Sequence, residues 1–291
     1  MIKKVNFYII NLKSFAFKKD EFQFVRRTAF VHKFARKRKH RRKGGYVMIR
    51  FILTVIFVVL FLICSIPLLI IEYFIGKFNM DIKNRSSLAI VNWAFGVCLF
   101  IAGTSVTVLG EENVPTDKPV LYIGNHRSYF DILITYVRVP RPTGYIAKKE
   151  ILKVPLLRNW MKYLHCLFLD RDDIKQGLET IKEGIEKINS GISICIFPEG
   201  TRNKVNDTFL PFHEGSFKIA ERSGCAIIPM SINNTASIFE DQFPKIRKSH
   251  VVVEYGKPIY MSEMDRADRK KIGATVREII KETYFKNKEL V

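Results

Sequence analysis

The chain has 291 residues, of which 47% are hydrophobic, and its formal net charge at pH 7 is +20. This length suits one α/β domain of about 180 residues with an appended element, and the hydrophobic content is high for a purely soluble protein. The five cysteines are odd in number and lie in apolar runs, which argues against a disulfide-stapled secreted domain and predicts reduced thiols in a reducing compartment.

Residues 1–47 form a strongly basic leader. They contain 15 Lys or Arg and two acidic residues, and seven of the eight residues from 36 to 43 are Lys or Arg. Such a segment is typical of nucleic-acid binding, of a polybasic lipid anchor or of an unusual signal segment. The net charge of +7 on the rest of the chain suits a protein that faces anionic lipid.

A fourth interpretation is that the leader is not native. Lys43-Gly44-Gly45 is what a purine-rich ribosome-binding site would encode if it were translated by mistake, and Met48 comes shortly after it. Translation would then begin at Met48, and the residues before it would have no evolved function.

Two uncharged runs come next, at residues 51–71 and 88–108, and each is 21 residues long. Either is long enough to cross the hydrocarbon core of a bilayer as a helix. With a polar loop at 72–87 and a kink at Pro67, residues 48–108 are predicted to form a membrane-associated helical hairpin. The hairpin either spans the membrane or dips into one leaflet, and the alternative is a pair of buried helices in a soluble protein. The cationic cluster before residue 51 predicts a cell-membrane protein whose C-terminal domain faces the cytoplasm.

Residues 109–291 form the predicted second domain, in which strand and helix patterns alternate. Apolar runs rich in β-branched residues predict strands at 120–123, 144–147, 166–169, 192–197, 226–232 and 251–255. Helices are predicted at 130–137, 151–163, 174–188 and 215–222, with a charged surface helix at 265–286. The apolar stripe from Ile174 to Ile188 is assigned to the core. The pattern predicts an α/β fold with a sheet flanked by helices.

Candidate chemistry begins at the end of the first predicted strand. His126 is expected in the turn to the next helix, with Ser128 as the N-cap and Asp131 in the first helical turn. The carboxylate can then accept a hydrogen bond from one imidazole nitrogen and leave the other as a proton acceptor. Because no Gly-x-Ser-x-Gly sequence is present, the pair is expected to deprotonate a substrate hydroxyl. The alternative is that His126 only caps a turn and Asp131 only complements the helix dipole.

A second candidate site lies after the strand at 192–197, where the chain continues into Glu199-Gly200-Thr201-Arg202. The carboxyl ends of strands are where α/β proteins bind ligands. Gly200 lets the backbone approach a ligand, Thr201 offers a hydroxyl, and Arg202 offers a planar fork that suits phosphate oxygens. Glu199 is expected to orient Arg202 or the substrate. The alternative is a solvated Glu-Arg turn.

Together, these two segments resemble the signatures of the glycerolipid acyltransferases, most closely those of the 1-acyl-glycerol-3-phosphate (lysophosphatidate) acyltransferases. Residues 147–150 and 167–171 resemble the second block of that family, and residues 212–220 and 227–230 resemble its closing block. The resemblance covers residues 120–232. The chain departs from the family pattern at three positions: Arg158 and His165 stand where many relatives have glycine, and His213 stands where lysine is frequent.

The resemblance implies a mixed sheet flanked by helices and an enzyme that transfers an acyl group from an acyl thioester to the free hydroxyl of 1-acyl-glycerol-3-phosphate, giving phosphatidate. His126 would be the general base and Asp131 its orienting partner. The residues implied to bind the acceptor's glycerol phosphate are Arg171, Glu199, Gly200, Thr201 and Arg202.

No metal site or cofactor is predicted, because the histidines and cysteines lack ligand spacing. The expected partners are lysophosphatidate, an acyl thioester and membrane lipid, while nucleic acid is not expected. Acyl-CoA and acyl carrier protein both remain open as donors. Two other functions also remain open. One is an acyltransferase that acts on glycerol-3-phosphate or another lysolipid. The other is a protein without catalysis, either a membrane-anchored lipid-binding protein or a basic protein whose leader binds nucleic acid.

Overall fold

A computed structural model describes residues 48–291 of the chain. The predictions for residues 1–47, including the basic leader and the translation start, lie outside the described residues. Within residues 48–291, three apolar helices precede an α/β domain.

The N-terminal apolar region comprises α1 (Met48–Cys64), α2 (Ile66–Phe78) and α3 (Met80–Ala102). The axes of α1 and α2 differ by 48° across a break at Ser65, beside the predicted kink at Pro67. Asn79 separates α2 from α3, and its side chain caps α3 by accepting a hydrogen bond from the backbone N–H of Ile82. The predicted polar loop at 72–87 is therefore wrong, since these residues are helical apart from Asn79.

That polar stretch is helical because its polar side chains bond to one another between the helices. Glu72 of α2 is 2% exposed and accepts hydrogen bonds from the hydroxyls of Ser86 at 2.9 Å and Ser87 at 3.0 Å. Glu72, Ser86 and Ser87 thus satisfy one another, so α2 and α3 can pack without a solvated loop between them.

The second uncharged run divides between two kinds of element. The helix α3 ends at Ala102, with Gly103 in the left-handed conformation (φ 69°) as its C-cap, and Ser105–Leu109 form strand β1. The prediction that the helical hairpin extends to residue 108 is therefore wrong, and the predicted domain boundary falls inside β1. Val106, Thr107 and Val108 are β-branched and favour the strand. Because the run is uniformly apolar, hydropathy does not show where the helix ends and the strand begins.

The sheet has seven strands in the order β1-β7-β6-β2-β5-β3-β4. Their bounds are Ser105–Leu109 (β1), Val120–Gly124 (β2), Thr143–Lys148 (β3), Leu167–Leu169 (β4), Ser193–Ile196 (β5), Ala226–Asn233 (β6) and His250–Tyr255 (β7). Neighbouring strands are parallel except β6 and β7, which are antiparallel. The predicted mixed sheet is confirmed.

Six further helices flank the sheet: α4 (Tyr129–Tyr136), α5 (Leu157–Tyr163), α6 (Ile174–Asn189), α7 (Lys218–Ser223), α8 (Arg266–Arg269) and α9 (Ile272–Lys286). The predicted helix at 151–163 is shorter than expected because a separate 3-10 turn, Lys149–Lys153, precedes it. The C-terminal helix is not only a surface element, since Ile272, Val276 and Ile280 are buried in the core.

The two faces of the sheet carry separate hydrophobic clusters. Leu121 and Tyr122 are adjacent on β2 but belong to different clusters, because successive side chains of a strand point to opposite faces. The cluster with Tyr122 also contains Val91 and Leu99 of α3 and Trp160 of α5. The helix α3 is therefore part of the core of the α/β domain.

By length and composition, α3 could cross a membrane. The bent pair α1 and α2 adds a second candidate span within residues 48–291 if the two helices count as one.

Candidate active site

The loop between β2 and α4 is fixed at both ends. Ser128 caps α4 by accepting a hydrogen bond from the backbone N–H of Phe130 at 3.0 Å, and Asp131 completes a capping box by accepting from the N–H of Ser128 at 2.7 Å. Asn125 is 2% exposed and bonds to both backbone groups of Ile232 in β6 at 2.9 Å. The residues between these anchors, His126 included, have a defined position.

Asp131 is fully buried and lies among four hydrogen-bond donors. Its Oδ2 is 2.8 Å from Nδ1 of His126 and 2.7 Å from the backbone nitrogens of Arg127 and Ser128. Its Oδ1 accepts from the hydroxyl of Thr235. A carboxylate in this setting acts as an acceptor, so Nδ1 of His126 carries the hydrogen and Nε2 keeps a lone pair.

The imidazole of His126 is held on one face by an aromatic ring. The ring centroids of His126 and Phe197 are 4.3 Å apart with an interplanar angle of 15°. The backbone N–H of Asn203 donates to the carbonyl of His126 at 2.8 Å. The side chain of His126 nevertheless keeps 15% exposure, which leaves a path for a substrate hydroxyl.

Glu199 links the loop of His126 to the turn after β5. The side chain is 4% exposed, and its two oxygens accept the backbone N–H groups of His126 at 2.9 Å and Leu210 at 3.1 Å. Burial raises the pKa of Glu199, while these two N–H groups act in the opposite direction. The observed contacts give Glu199 a role in joining the loops, and its contact with a substrate stays a prediction.

Gly200, Thr201 and Arg202 come next, at the surface. Gly200 has φ 71°, a left-handed conformation, and a Cβ there would lie 3.3 Å from Nε2 of His213. Both constraints favour glycine. Thr201 is exposed. Arg202 lies over the ring of Tyr129 at 3.7 Å and pairs with Glu240 at 3.2 Å, beside the N terminus of α4.

A groove of about 530 Å³ runs past Gly200 between the loop after β5 and α6. Arg171 and His213 line it together with Ile174 and Leu178 of α6. These two apolar side chains are 82% and 58% exposed, so the prediction that the whole stripe of α6 belongs to the core is wrong. Ile188, at the other end of the stripe, is buried.

The structure brings His126, Asp131 and Glu199 into direct contact and places Arg171 and Gly200 along one groove. The two segments meet because β2 and β5 are parallel neighbours whose carboxyl ends lie at the same edge, with Ile123 opposite Ile196. The family model described as Acyltransferase matches residues 105–233, which include both segments. The chain carries an acyltransferase-family domain.

The curated relatives of this acyltransferase domain have consistent names. A 1-acyl-sn-glycerol-3-phosphate acyltransferase of Borreliella burgdorferi is 31% identical over 53% of this chain, and one of Saccharomyces cerevisiae is 28% identical over 67% of it. The chain covers 62% and 66% of the lengths of these two proteins, less than two thirds of each. A probable 1-acyl-sn-glycerol-3-phosphate acyltransferase of Mycoplasma pneumoniae is 28% identical over 64% of the chain and 73% of its own length.

One solved structure shares the fold. The crystal structure of the 1-acyl-sn-glycerophosphate acyltransferase PlsC from Thermotoga maritima superposes with a TM-score of 0.71 at 20% sequence identity. The superposition covers 84% of this chain and 98% of that protein.

Sequence reasoning missed two residues of this candidate site, Thr235 and Glu240. Thr235 donates to Asp131, and Glu240 contacts Ser128, Tyr129 and Arg202. Both lie after β6, more than 100 positions from the residues of the α4 turn that they contact. No local pattern marks them, because only the sheet order brings this segment beside the turn.

His165, one of the departures from the family pattern, lies in a left-handed turn before β4 with φ 59°. Glycine adopts this conformation without steric cost, which explains why it suits this position. The His165 ring instead donates from Nε2 to Oδ1 of Asn84 in α3 at 2.8 Å. His165 thus ties the acyltransferase domain to the helical region.

We expect His165 to make the fold less stable in mild acid. Burial, followed by the charges of Lys187 and Lys83, lowers the pKa of His165 to about 4. The unfolded chain therefore binds a proton near its ordinary pKa of about 6.5, before the folded protein does, so stability falls as the pH drops from about 6.5 to about 4. The full loss is about 3 kcal/mol.

The measurement is the melting temperature in detergent at pH 7.5 and at pH 5, for wild type and for His165→Gly. We expect a smaller drop in the variant, because glycine fits the turn and has no titrating group. Equal drops in both proteins would show that His165 does not control this pH dependence.

Proposed function

We propose that this chain transfers an acyl group from an acyl thioester to the free hydroxyl of 1-acyl-glycerol-3-phosphate and thereby forms phosphatidate. The observation that carries the proposal is the contact between His126 and Asp131. It lies at the sheet edge that also carries the turn with Glu199, whose side chain accepts the backbone N–H of His126. An acyltransferase-family match over this region and relatives named for this activity support the proposal.

The proposed chemistry uses His126 as the general base. Nδ1 is bonded to Asp131, so Nε2 accepts the proton of the acceptor hydroxyl as its oxygen attacks the thioester carbonyl carbon. The carbon–sulfur bond breaks in the tetrahedral intermediate, and the thiolate leaves with the proton that His126 had accepted. Asp131 keeps the ring orientation and stabilises the imidazolium that forms in between.

The acceptor phosphate is proposed to bind to arginine side chains near Gly200. Arg171 lines the groove with Gly200, and the side chain of Arg202 contacts Tyr129 at the start of α4. A guanidinium matches two phosphate oxygens at once, which gives both affinity and orientation. The exposed side chains of Ile174 and Leu178 offer an apolar wall for an acyl chain in the same groove.

The reaction as proposed needs no metal or cofactor beyond the acyl donor. Among residues 48–291, no cluster of three or more His, Cys, Asp or Glu is arranged to hold a metal ion. Acyl-CoA and acyl carrier protein both present an acyl thioester on an acidic carrier, so either suits a chain of net charge +20.

The decisive experiment supplies the purified protein with 1-oleoyl-glycerol-3-phosphate and labelled acyl-CoA or acyl carrier protein. We expect labelled phosphatidate with one or both donors. Glycerol-3-phosphate and lysophosphatidylcholine serve as competing acceptors: acylation of either in preference to lysophosphatidate would favour the alternative acceptor. Inactivity with all three would contradict the enzymatic function.

We further propose that α1 to α3 attach the protein to one leaflet of the cell membrane, with the acyltransferase domain, from β1 onward, in the cytoplasm. Buried residues of α3 extend from Asn84 to Ala102, and that helix packs on α4 and α5 as well as on α2. If α3 crossed the bilayer, it would carry α4 and α5 into the hydrocarbon. Many apolar side chains of α1 and α2 face outward instead, and Phe78 at the tip is 89% exposed.

Labelling from one side of the membrane tests this arrangement. In sealed vesicles, Lys77→Cys at the end of α2 should react with a membrane-impermeant maleimide from the same side as Lys182→Cys on α6. Wild type provides the background from the exposed Cys64. Reaction of Lys77→Cys from the opposite side would show that the hairpin crosses the membrane.

A further inference from the structure

We propose that Glu240 is a positioning residue that holds the guanidinium of Arg202 at a fixed position relative to the loop that carries His126. The inference rests on the proposed function, because it takes Arg202 as an anchor for the acceptor phosphate. Glu240 lies beyond residues 105–233, the extent of the family match, and outside both sequence motifs.

The carboxylate of Glu240 bonds both to Arg202 and to two residues at the start of α4. Oε1 of Glu240 accepts the backbone N–H of Tyr129 at 2.8 Å and Nη1 of Arg202 at 3.2 Å, and Oε2 accepts the hydroxyl of Ser128 at 2.6 Å. Ser128 is the N-cap of α4, and its N–H donates to the same Asp131 oxygen as Nδ1 of His126. Glu240 is therefore one hydrogen bond from Arg202 and a short chain of bonds from the proposed base.

Arg202 is held in a way that leaves part of it available. Its guanidinium stacks on the ring of Tyr129 at 3.7 Å, and Nη2 donates to the Tyr129 hydroxyl at 3.0 Å. With the bond to Glu240, two of its five N–H donors have partners within the described residues. The remaining three can donate to phosphate oxygens while Tyr129 and Glu240 fix the plane of the group.

Glu240 itself stands on a well-anchored segment. The ring of its neighbour Phe239 stacks on Phe51 of α1 with centroids 5.8 Å apart and an interplanar angle of 12°. Gln242 donates to the carbonyl of Ile238 at 2.9 Å. The side chain of Glu240 is 20% exposed and that of Arg202 is 32% exposed, so the pair is partly shielded from water.

The chemistry of the acceptor explains why such a link is useful. In 1-acyl-glycerol-3-phosphate the free hydroxyl and the phosphate are on neighbouring carbons, so the base and the phosphate anchor need a fixed separation. Orientation of this kind lowers the barrier by restricting the reactants before the reaction. His126 and Arg202 lie on different loops, and Glu240 is a residue that contacts both the α4 turn and Arg202.

The test compares Glu240→Gln and Tyr129→Phe with wild type, alone and combined with Arg202→Ala. Binding of 1-oleoyl-glycerol-3-phosphate and of phosphate-free 1-oleoylglycerol is measured by calorimetry in detergent without an acyl donor, and transfer kinetics are then measured on the same proteins. For Glu240→Gln we expect about a tenfold rise in Kd and KM for the phosphorylated acceptor with a much smaller change in kcat. Tyr129→Phe, which leaves the Glu240 carboxylate intact, should cause a smaller rise of the same kind.

Three results would support the inference together: no change in the binding of 1-oleoylglycerol, no further loss from Glu240→Gln when Arg202 is already alanine, and an unaltered melting temperature. Equal losses for both acceptors, or fully additive losses with Arg202→Ala, would indicate a merely structural role and overturn it. If Glu240→Gln is unstable, Glu240→Asp, which keeps the charge but shortens the reach to Arg202, must show the phosphate-specific loss, or the inference fails.

The control is Glu221→Gln, which breaks a surface ion pair with Lys218 on α7 and should bind and turn over like wild type. If wild type forms phosphatidate but Glu240→Gln does so equally well, the positioning role is wrong while the proposed function stands. If wild type binds both acceptors equally, the phosphate anchor and with it the inference are wrong.

Discussion

Replacing His126 with alanine should lower kcat for acyl transfer to lysophosphatidate by at least about a hundredfold. The imidazole is the one side chain in this site whose second nitrogen is held ready as a proton acceptor, because Nδ1 is bonded to Asp131 at 2.8 Å and Phe197 stacks on its face. Without it, the acceptor hydroxyl must lose its proton to water. The measurement is the steady-state rate of phosphatidate formation at saturating donor and acceptor.

The matched control for this variant is His250→Ala. His250 lies at the start of β7 and bonds to the hydroxyls of Ser105 and Thr107 in β1, away from the α4 turn. It should retain wild-type kcat. A His126→Ala protein that folds and still turns over within a few-fold of wild type would remove the general base from the mechanism.

Asp131→Asn should be the second severe change, with a loss of about a thousandfold or more in kcat. An amide has a single oxygen, whereas Asp131 accepts from His126, Arg127 and Ser128 at one oxygen and from Thr235 at the other. With the amide NH₂ toward Nδ1, the imidazole loses the acceptor that fixes its tautomer. With the NH₂ toward the hydroxyl of Thr235, which can also accept, the neutral oxygen still accepts from Nδ1 but no longer stabilises the imidazolium as a charge would. We also expect the free energy of unfolding to fall by about 2 to 3 kcal/mol, since buried N–H groups lose a charged acceptor.

Kinetics and chemical denaturation on the same preparation separate the two effects. Thr235→Val is the matched variant, because it removes a single donor to Oδ1 and leaves the contacts of Oδ2 in place. Its kcat should fall far less than that of Asp131→Asn. Similar losses in the two variants would mean that the fold of the loop, and not the orientation of His126, limits catalysis.

Much of the α/β domain could be predicted from local patterns. The apolar run 120–123 became β2 (Val120–Gly124), and the run 192–197 became β5 (Ser193–Ile196), because a fully buried strand needs a short continuous stretch of β-branched and apolar residues. The N-cap at Ser128 and the contact between His126 and Asp131 could be expected from spacing across a short turn. These features depend on neighbours within a few residues, so the sequence carries them directly.

The errors share one cause, which is that local hydropathy did not predict the structure at these positions. Residues 72–87 looked like a loop because Glu72, Ser86 and Ser87 are polar, yet these side chains bond to one another inside the helix pair. The run 88–108 looked like one helix because hydropathy does not distinguish α3 from β1. Ile174 and Leu178 continue the apolar stripe of α6, but that end of the helix borders a groove instead of the core.

The sequence by itself determined the strands from β2 onward, the capped turn with its histidine and aspartate, and the glycine turn with its arginine. Only the tertiary structure decided which distant residues complete the site: Thr235 behind Asp131 and Glu240 between the α4 turn and Arg202. The physical reason is that β6 lies beside β2 in the sheet, so the segment after β6 reaches the start of α4. Strand order is set by the packing of the whole core, and no local pattern encodes it.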